Sequence, residues 1–394
     1  LELAGVTAET PDPEGGSLGR EDDGSLNGLL IETAQGLVRD FITPYTDEQH
    51  LAAARYYSDY ANAFGITAAK AAAIREEHMA GFFAADQLGD LNVHIATSIR
   101  TPYGRRTDPL DYDEIDRIRD AYASEHIDTA FVKIFLDGVP TPARTAAMLS
   151  PYIADDTHGD NFDGGPVHVG LETLTTDLVE LDRRGYTVKI HTAGDRSVRI
   201  ALDAIEATRA ELGNSDKRHE LAHAGYIDAL DLPRFAELNA VADLCPVIWH
   251  PSPIIDAVIA AVGEERGERY WPVRDLLDSG APILAGSDWP SAVPDSNPWT
   301  GIEAFVTRRH PHDLAEGALW PEQAITLEEA VEIYTWQGAR AMNMEDQIGS
   351  IEVGKLADVI VLERNIFEIP IDEVADTRIR QTYFEGKLVY EGEL

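Results

Sequence analysis

A single cysteine, Cys245, excludes an internal disulfide, so packing and polar pairing alone must hold the 394 residues together. Cys245 lies in the apolar stretch VADLCPVIW, where a thiol behaves as a small hydrophobe and packing is the expected role. No apolar run approaches the roughly 20 residues that a membrane helix needs, and no signal-peptide pattern opens the chain. Positive charge is scarce. Thirty-two Lys and Arg face 70 Asp and Glu, for a formal net charge of −38. Such a surface repels nucleic acid and anionic membranes, so neither is expected as a partner. It favours solubility and suits a salty habitat, and with the lone cysteine it fits a cytoplasmic setting. No fixed-period repeat and no low-complexity segment is present, and no glycine-rich phosphate loop follows any strand-like stretch. The chain also starts on Leu1 rather than methionine, which reads as a protein whose upstream residues are missing.

What is present is an alternation. Residues 1–46 are loop-rich, with turn clusters in TPDPEGG and DDGSLNG. A helical stretch DEQHLAAARYYSDYANAFG follows, ending at Gly65. Short apolar runs then recur as ITAAKA, LNVHIATSI, FVKIFLDG, YTVKIHTAG, HELAHAG, VADLCPV and PILAGSDWP. Helical stretches lie between most of them, at about 71–88, near 112–124, in DRSVRIALDAIEATRAEL and in DALDLPRFAELN. Apolar strands alternating with amphipathic helices predict a parallel sheet covered by helices. Seven such strands over residues 47–345 predict a (β/α)8 TIM-type barrel, with a doubly wound open sheet as the runner-up. After about 345 the pattern turns strand-like, in IGSIEVGKLADVIVLE and RIRQTYFEGKLVYEGEL, with Glu385-Gly386 suited to a tight hairpin. Residues 346–394 are therefore expected as a β appendage.

Lys133 is out of place in this pattern. It stands inside the apolar run FVKIFL, in a chain with only six lysines. A buried ammonium must be neutralised or paired. Three further polar residues end apolar strands: His191 in VKIHTAG, His223 in HELAHAG and Asp288 in LAGSDWP. In a (β/α)8 barrel, strand C-termini converge on one mouth, where active sites sit. The spacing fits. A barrel uses about 31 residues per strand-helix unit; His191 and His223 are 32 apart and His223 and Asp288 are 65 apart. Lys133 and His191 are 58 apart, one unit plus an insertion around PYIADDTHGDNFDGGP. Each residue alone has a plainer role. Lys133 could pair with Asp137, a strand histidine is commonly a hydrogen-bonded core residue, and Asp288 could cap the next helix. The conjunction points instead to a divalent-metal site, since imidazole and carboxylate suit zinc and similar ions. An ammonium has no lone pair to offer a metal. A deprotonated lysine that takes up carbon dioxide becomes a carbamate, in effect a carboxylate that can bridge two metals. Arg144, Trp249, His250 and Trp289 are candidates to line the mouth.

The motifs together resemble the amidohydrolase superfamily, specifically amidohydrolase family 3, the branch of N-substituted formamide deformylase-like metal-dependent hydrolases. The resemblance is carried by VKIFLDG with RTAAML, HTAGDRSVRIALDAIE, RHELAHAG, AGSDWP, LEEAVEIYTWQGARA and GSIEVGKLADVIVLE, in family order across nearly the whole chain. It implies a deformed barrel with a β-sandwich built from both chain ends, of which 346–394 would be the C-terminal part. Residues 1–46 would belong to an insertion between the first two barrel strands. It further implies one or two divalent metals, zinc foremost, with Lys133 as the carbamylated bridge. His191 and His223 would be ligands of the second metal, and Asp288 both ligand and general base. The reaction implied is hydrolysis of a C–N bond, an amide or N-formyl group of a small molecule, by metal-activated water.

One departure stands out. The family's first strand carries a His-x-His pair for the first metal, and none lies in that position here. His310 and His312 in RRHPHDL fall after the last strand. The expectation is that this strand lies upstream of Leu1, leaving a gap in the barrel that another segment or a second copy of the chain would fill. The alternatives are a non-catalytic barrel that binds a small molecule or metal, and a deaminase of the same superfamily. Lys133 argues against the deaminase, whose sites usually lack the bridging lysine.

Overall fold

The computed structural model describes residues 1–393 except 14, 142, 156–163, 249, 292 and 313–314. Part of the insertion expected before His191 therefore lies outside the described residues. Strands β1 (Gly16–Arg20) and β2 (Leu26–Glu32) form an antiparallel ribbon. The following helix, Asp47–Ala63, starts at a capping box in which the Thr46 hydroxyl accepts from Gln49 N–H and the Gln49 side chain accepts from Thr46 N–H. It stops at Gly65, whose φ of 79° only glycine adopts freely.

Among the described residues, seven parallel strands then pair in chain order. They are β3 (Ala68–Ile74), β4 (His94–Arg100), β5 (Ile127–Phe135), β6 (Thr187–Thr192), β7 (Glu220–His223), β8 (Val241–Leu244) and β9 (Ile283–Ala285). Helices such as Glu76–Gln87, Leu171–Arg183 and Asp195–Leu212 cover the outside. This is the (β/α) barrel architecture expected from the sequence, as a curled seven-stranded sheet with β3 and β9 at its edges. The helix expected from residue 71 begins only at Glu76. Residues 71–74 extend β3 instead, because Ala71 and Ile74 pair with Thr97 and Ile99 of β4, and sheet pairing overrides alanine's helix preference. The helix expected across 228–239 shrinks to Leu232–Glu237, with Pro233 in its first turn.

Beyond residue 345 lies a three-stranded antiparallel sheet, β10 (Val359–Leu362), β11 (Ile379–Phe384) and β12 (Lys387–Glu391). Glu385 and Gly386 turn the last hairpin at φ 51° and 80°. The strand character expected from residue 348 starts only at Val359, since Gly349 and Gly354 sit at φ 88° and 102° and break the run. The Thr382 hydroxyl ties the sheet to the barrel by donating to Asn62 O at 2.7 Å.

Parallel pairing sets Arg100, Lys133, Lys189 and Glu220 level with one another across β4 to β7. Partners at one level share a face. Half of the chain's lysines are buried here. Glu220, wholly buried, pairs with Lys70 and with Lys189 at 3.1 Å, and Lys189 also pairs with Asp243. Lys70 donates further to Ala341 O at 2.9 Å, which ties the segment at 341–344 to the barrel floor. Met342 there packs on Ala96 and Phe131. Breaking a buried pair from one side leaves an uncompensated charge, so Glu220→Gln should cost about 3–5 kcal/mol. Urea unfolding measures this. Adding Lys70→Met should recover part of the loss, whereas a loss below about 1 kcal/mol would show that Glu220 is not the floor's counter-charge.

Candidate metal centre

Lys133, His191, His223 and Asp288 all reach the C-terminal end of the sheet. Lys133 is 3% exposed and, unlike those of Lys70 and Lys189, its ammonium makes no hydrogen bond or ion pair among the described residues. Its Nζ lies 5.4 Å from the centre of the Phe135 ring. Burial and the neighbouring Lys189 charge lower its pKa to about 8, with Asp243 and Asp288 pulling the other way. The amine is thus within reach of its neutral form near physiological pH.

His191 and His223 face each other with ring centres 4.5 Å apart. His191 Nε2 lies 2.9 Å from Gly138 O. A carbonyl only accepts, so Nε2 carries the proton and Nδ1 keeps its lone pair. His223 turns Nδ1 toward the Cys245 sulfur at 3.9 Å, which leaves Nε2. Burial and the Lys133 charge push His223 down to about 3 and His191 well below its ordinary value. Both rings are therefore neutral at pH 7, the form that binds metal. Strict alternation would aim His223 away from His191, since it pairs with Thr192. Its φ of 74° re-aims the side chain, and Asp288 sits at φ 55°. Left-handed backbone at two strand ends of one mouth is the kind of strain that clusters at functional sites.

Asp288 is exposed toward the mouth, and its carboxyl is raised by the walls around it and lowered by Lys133. Beneath lies Asp137, fully buried. It accepts from Ala147, Ala193 and Gly194 N–H and from the Ser197 hydroxyl, at 2.7–3.0 Å. Burial pushes it to about 6 against these four donors. It braces the turn after β6 on the loop that follows β5, and one oxygen stands 3.7 Å from His191 Nε2.

Chemically this donor set fits a divalent ion: two neutral imidazoles with free nitrogens, one open carboxylate and one unpartnered amine of lowered pKa. No three His, Cys, Asp or Glu side chains among the described residues form a ready-made ligand group. The set therefore depends on Lys133 as a member. Of the other mouth candidates, Arg144 is buried and bound to Asp155 at 2.6 Å. His250 is held by Val247 O at 2.9 Å. Trp289 stacks on Tyr60 with ring centres 5.0 Å apart. Trp249 lies outside the described residues. The sequence reading gave Cys245 a packing role and Asp137 only a possible pairing with Lys133. Position was the available signal, since one follows β8 directly and the other ends the FVKIFLD run. Two surface hollows of about 390 and 460 Å³ share Arg269 and Trp320 and include none of the four residues.

Residues 1–390 match the amidohydrolase family. The chain belongs to that family. It is 29% identical to the protein LONG AFTER FAR-RED 3 of Arabidopsis thaliana, over 99% of this chain and 66% of that protein. It is 27% identical to an N-substituted formamide deformylase of Arthrobacter pascens, over 99% of this chain and 70% of that protein. The chain thus spans about two-thirds of the length of these relatives. A solved metal-dependent hydrolase from Pyrococcus horikoshii superposes with a TM-score of 0.72 at 22% identity, covering 94% of this chain and 69% of that one. At that identity the likeness speaks for the fold.

If this chain holds a metal through the facing imidazoles, His191→Ala and His223→Ala should each weaken zinc binding at least about tenfold in a chelator competition. Neither should lower the melting temperature of the chelator-treated protein by as much as it lowers that of the zinc-loaded form. Equal losses in both forms would make the histidines structural.

Proposed function

We propose that this chain is the barrel part of a metal-dependent hydrolase that cleaves a C–N bond, of amide or N-formyl type, in a small molecule. The observation that carries the reading is Lys133, buried with its ammonium unpaired among the described residues, at the strand ends that also carry two neutral imidazoles and an open carboxylate. Family membership supports it, as does a relative named for formamide deformylation. Residues 47–345 are assigned to the barrel, 1–46 to an insertion and 346–394 to part of a β-sandwich. The relative named for formamide deformylation supports a small-molecule substrate, and the acidic composition with a single cysteine supports a cytoplasmic setting.

A divalent ion, zinc foremost, would supply Lewis acidity here, lowering the pKa of a bound water and polarising a carbonyl. His191 would hold it through Nδ1, oriented by Gly138 O, and His223 through Nε2. Lys133 loses its proton and its amine adds to carbon dioxide, giving a carbamate and one released proton. The buried cation becomes an anionic oxygen ligand, which removes the cost of an isolated ammonium. Asp288, exposed at the mouth, takes a proton from the attacking water and returns it to the leaving nitrogen.

Lys133→Ala should abolish zinc-dependent release of amine from simple formamides and amides, and added acetate or propionate should restore part of it by standing in for the carbamate oxygens. Unchanged turnover in the variant would make Lys133 structural and remove the basis for this function.

A further inference from the structure

A second pair of imidazoles lies at the N-terminal end of the strands, opposite the mouth. His94 opens β4 and His126 stands just before β5. Both rings pack on Phe384, with ring centres 4.7 and 5.2 Å away, and their own centres are 5.6 Å apart. The antiparallel sheet brings two carboxylates to them, Asp358 just before β10 and Glu385 on the β11–β12 turn. Asp358 Oδ2 lies 3.3 Å from His94 Nε2. Glu385 Oε1 lies 4.0 Å from His94 Nε2 and 3.5 Å from His126 Nε2.

None of these contacts is a hydrogen bond. His94 Nε2, His126 Nε2 and Asp358 Oδ2 are all buried without a hydrogen-bond partner among the described residues. The far sides of two of the groups are committed. His126 Nδ1 lies 2.5 Å from Asp86 Oδ1; a carboxylate only accepts, so Nδ1 carries the proton and Nε2 presents a lone pair. Asp358 Oδ1 accepts from Glu385 N–H at 2.8 Å, which leaves Oδ2 to His94. Lone pairs and carboxylate oxygens are thus gathered in a desolvated place with no donor between them, which is costly.

We propose that His94, His126, Asp358 and Glu385 hold a divalent ion, zinc or one of similar preference, that staples the C-terminal sheet to the underside of the barrel. An ion supplies the positive charge that four acceptors lack. Two imidazoles and two carboxylates suit zinc. A carboxylate behind a ligating ring, as Asp86 is behind His126, fixes the tautomer that such a ligand needs. Ligand atoms around a tetrahedral zinc stand about 3.3 Å apart, and the contacts here are 3.3, 3.5 and 4.0 Å. No three of the four form a ready-made ligand group, so closure falls to Glu385, 34% exposed on its turn, which has only to swing inward. With all four positions filled by protein the site is structural rather than catalytic. The length of β4 separates it from the mouth, and it does not depend on the hydrolase reading.

The test is zinc stoichiometry and chelator competition on the His191→Ala/His223→Ala chain, whose mouth imidazoles are gone. It should still hold one zinc, with a dissociation constant of about 1 μM or below, and zinc should raise its melting temperature. Asp358→Asn, which keeps the acceptor for Glu385 N–H, and Glu385→Ala should each weaken that zinc at least about tenfold. If the mouth variant fails to fold, Glu385→Ala in the intact chain should lower the bound zinc by one equivalent. An unchanged stoichiometry there overturns the proposal. So does a mouth variant that binds no zinc, or one whose zinc affinity ignores both carboxylate substitutions.

Discussion

Three ammonium groups inside one barrel demand counter-charges, and the floor of this barrel supplies two carboxylates. Glu220 and Asp243 are drawn onto Lys70 and Lys189, and the network reaches the segment at 341–344 through Ala341 O. Lys133, level with Lys189, is left with the repulsion of that ammonium and no hydrogen-bonded carboxylate of its own among the described residues. Desolvation alone would make such a lysine a defect. It becomes intelligible once the group above it needs an uncharged amine rather than a cation. The neutral imidazoles, the raised Asp288 and the neutral thiol of Cys245 all belong to the same desolvated mouth.

Backbone geometry does the remaining work of assembling the centre. Parallel register alone would bring Lys133 and His191 together but send His223 outward. The left-handed turns at His223 and Asp288 correct that, and Asp137 gathers four donors from the loop after β5 and the turn that follows β6. These features lie at strand ends, where loops replace sheet pairing and where such conformations are tolerated.

The barrel was legible because it depends on period, and so were the strand-end positions of the four candidate residues. Strand alternation and a unit length of about 31 residues survive in a single sequence. The exact starts of elements were less legible, as at residues 71–74, where the alanine-rich run reads as helix until β4 is there to pair with it. Arg144 read as a pocket residue because arginine near a mouth suits anions, yet its guanidinium is turned to Asp155 and Ile153 O. Arg100 went unread for the opposite reason. What distinguishes it is a guanidinium with no hydrogen-bond or ion-pair partner among the described residues, and a missing contact leaves no trace in sequence. The brace at Asp137 and the Cys245–His223 contact are likewise long-range facts.

The proposed centre depends on Lys133 exchanging its charge for a carbamate. The direct measurement is 13C NMR of the zinc-loaded chain equilibrated with 13C-bicarbonate. One carbamate resonance per chain is predicted, lost in Lys133→Met and lost again when a chelator strips the metal. Stoichiometric zinc with no carbamate resonance, or a resonance that persists in the methionine variant, would contradict it.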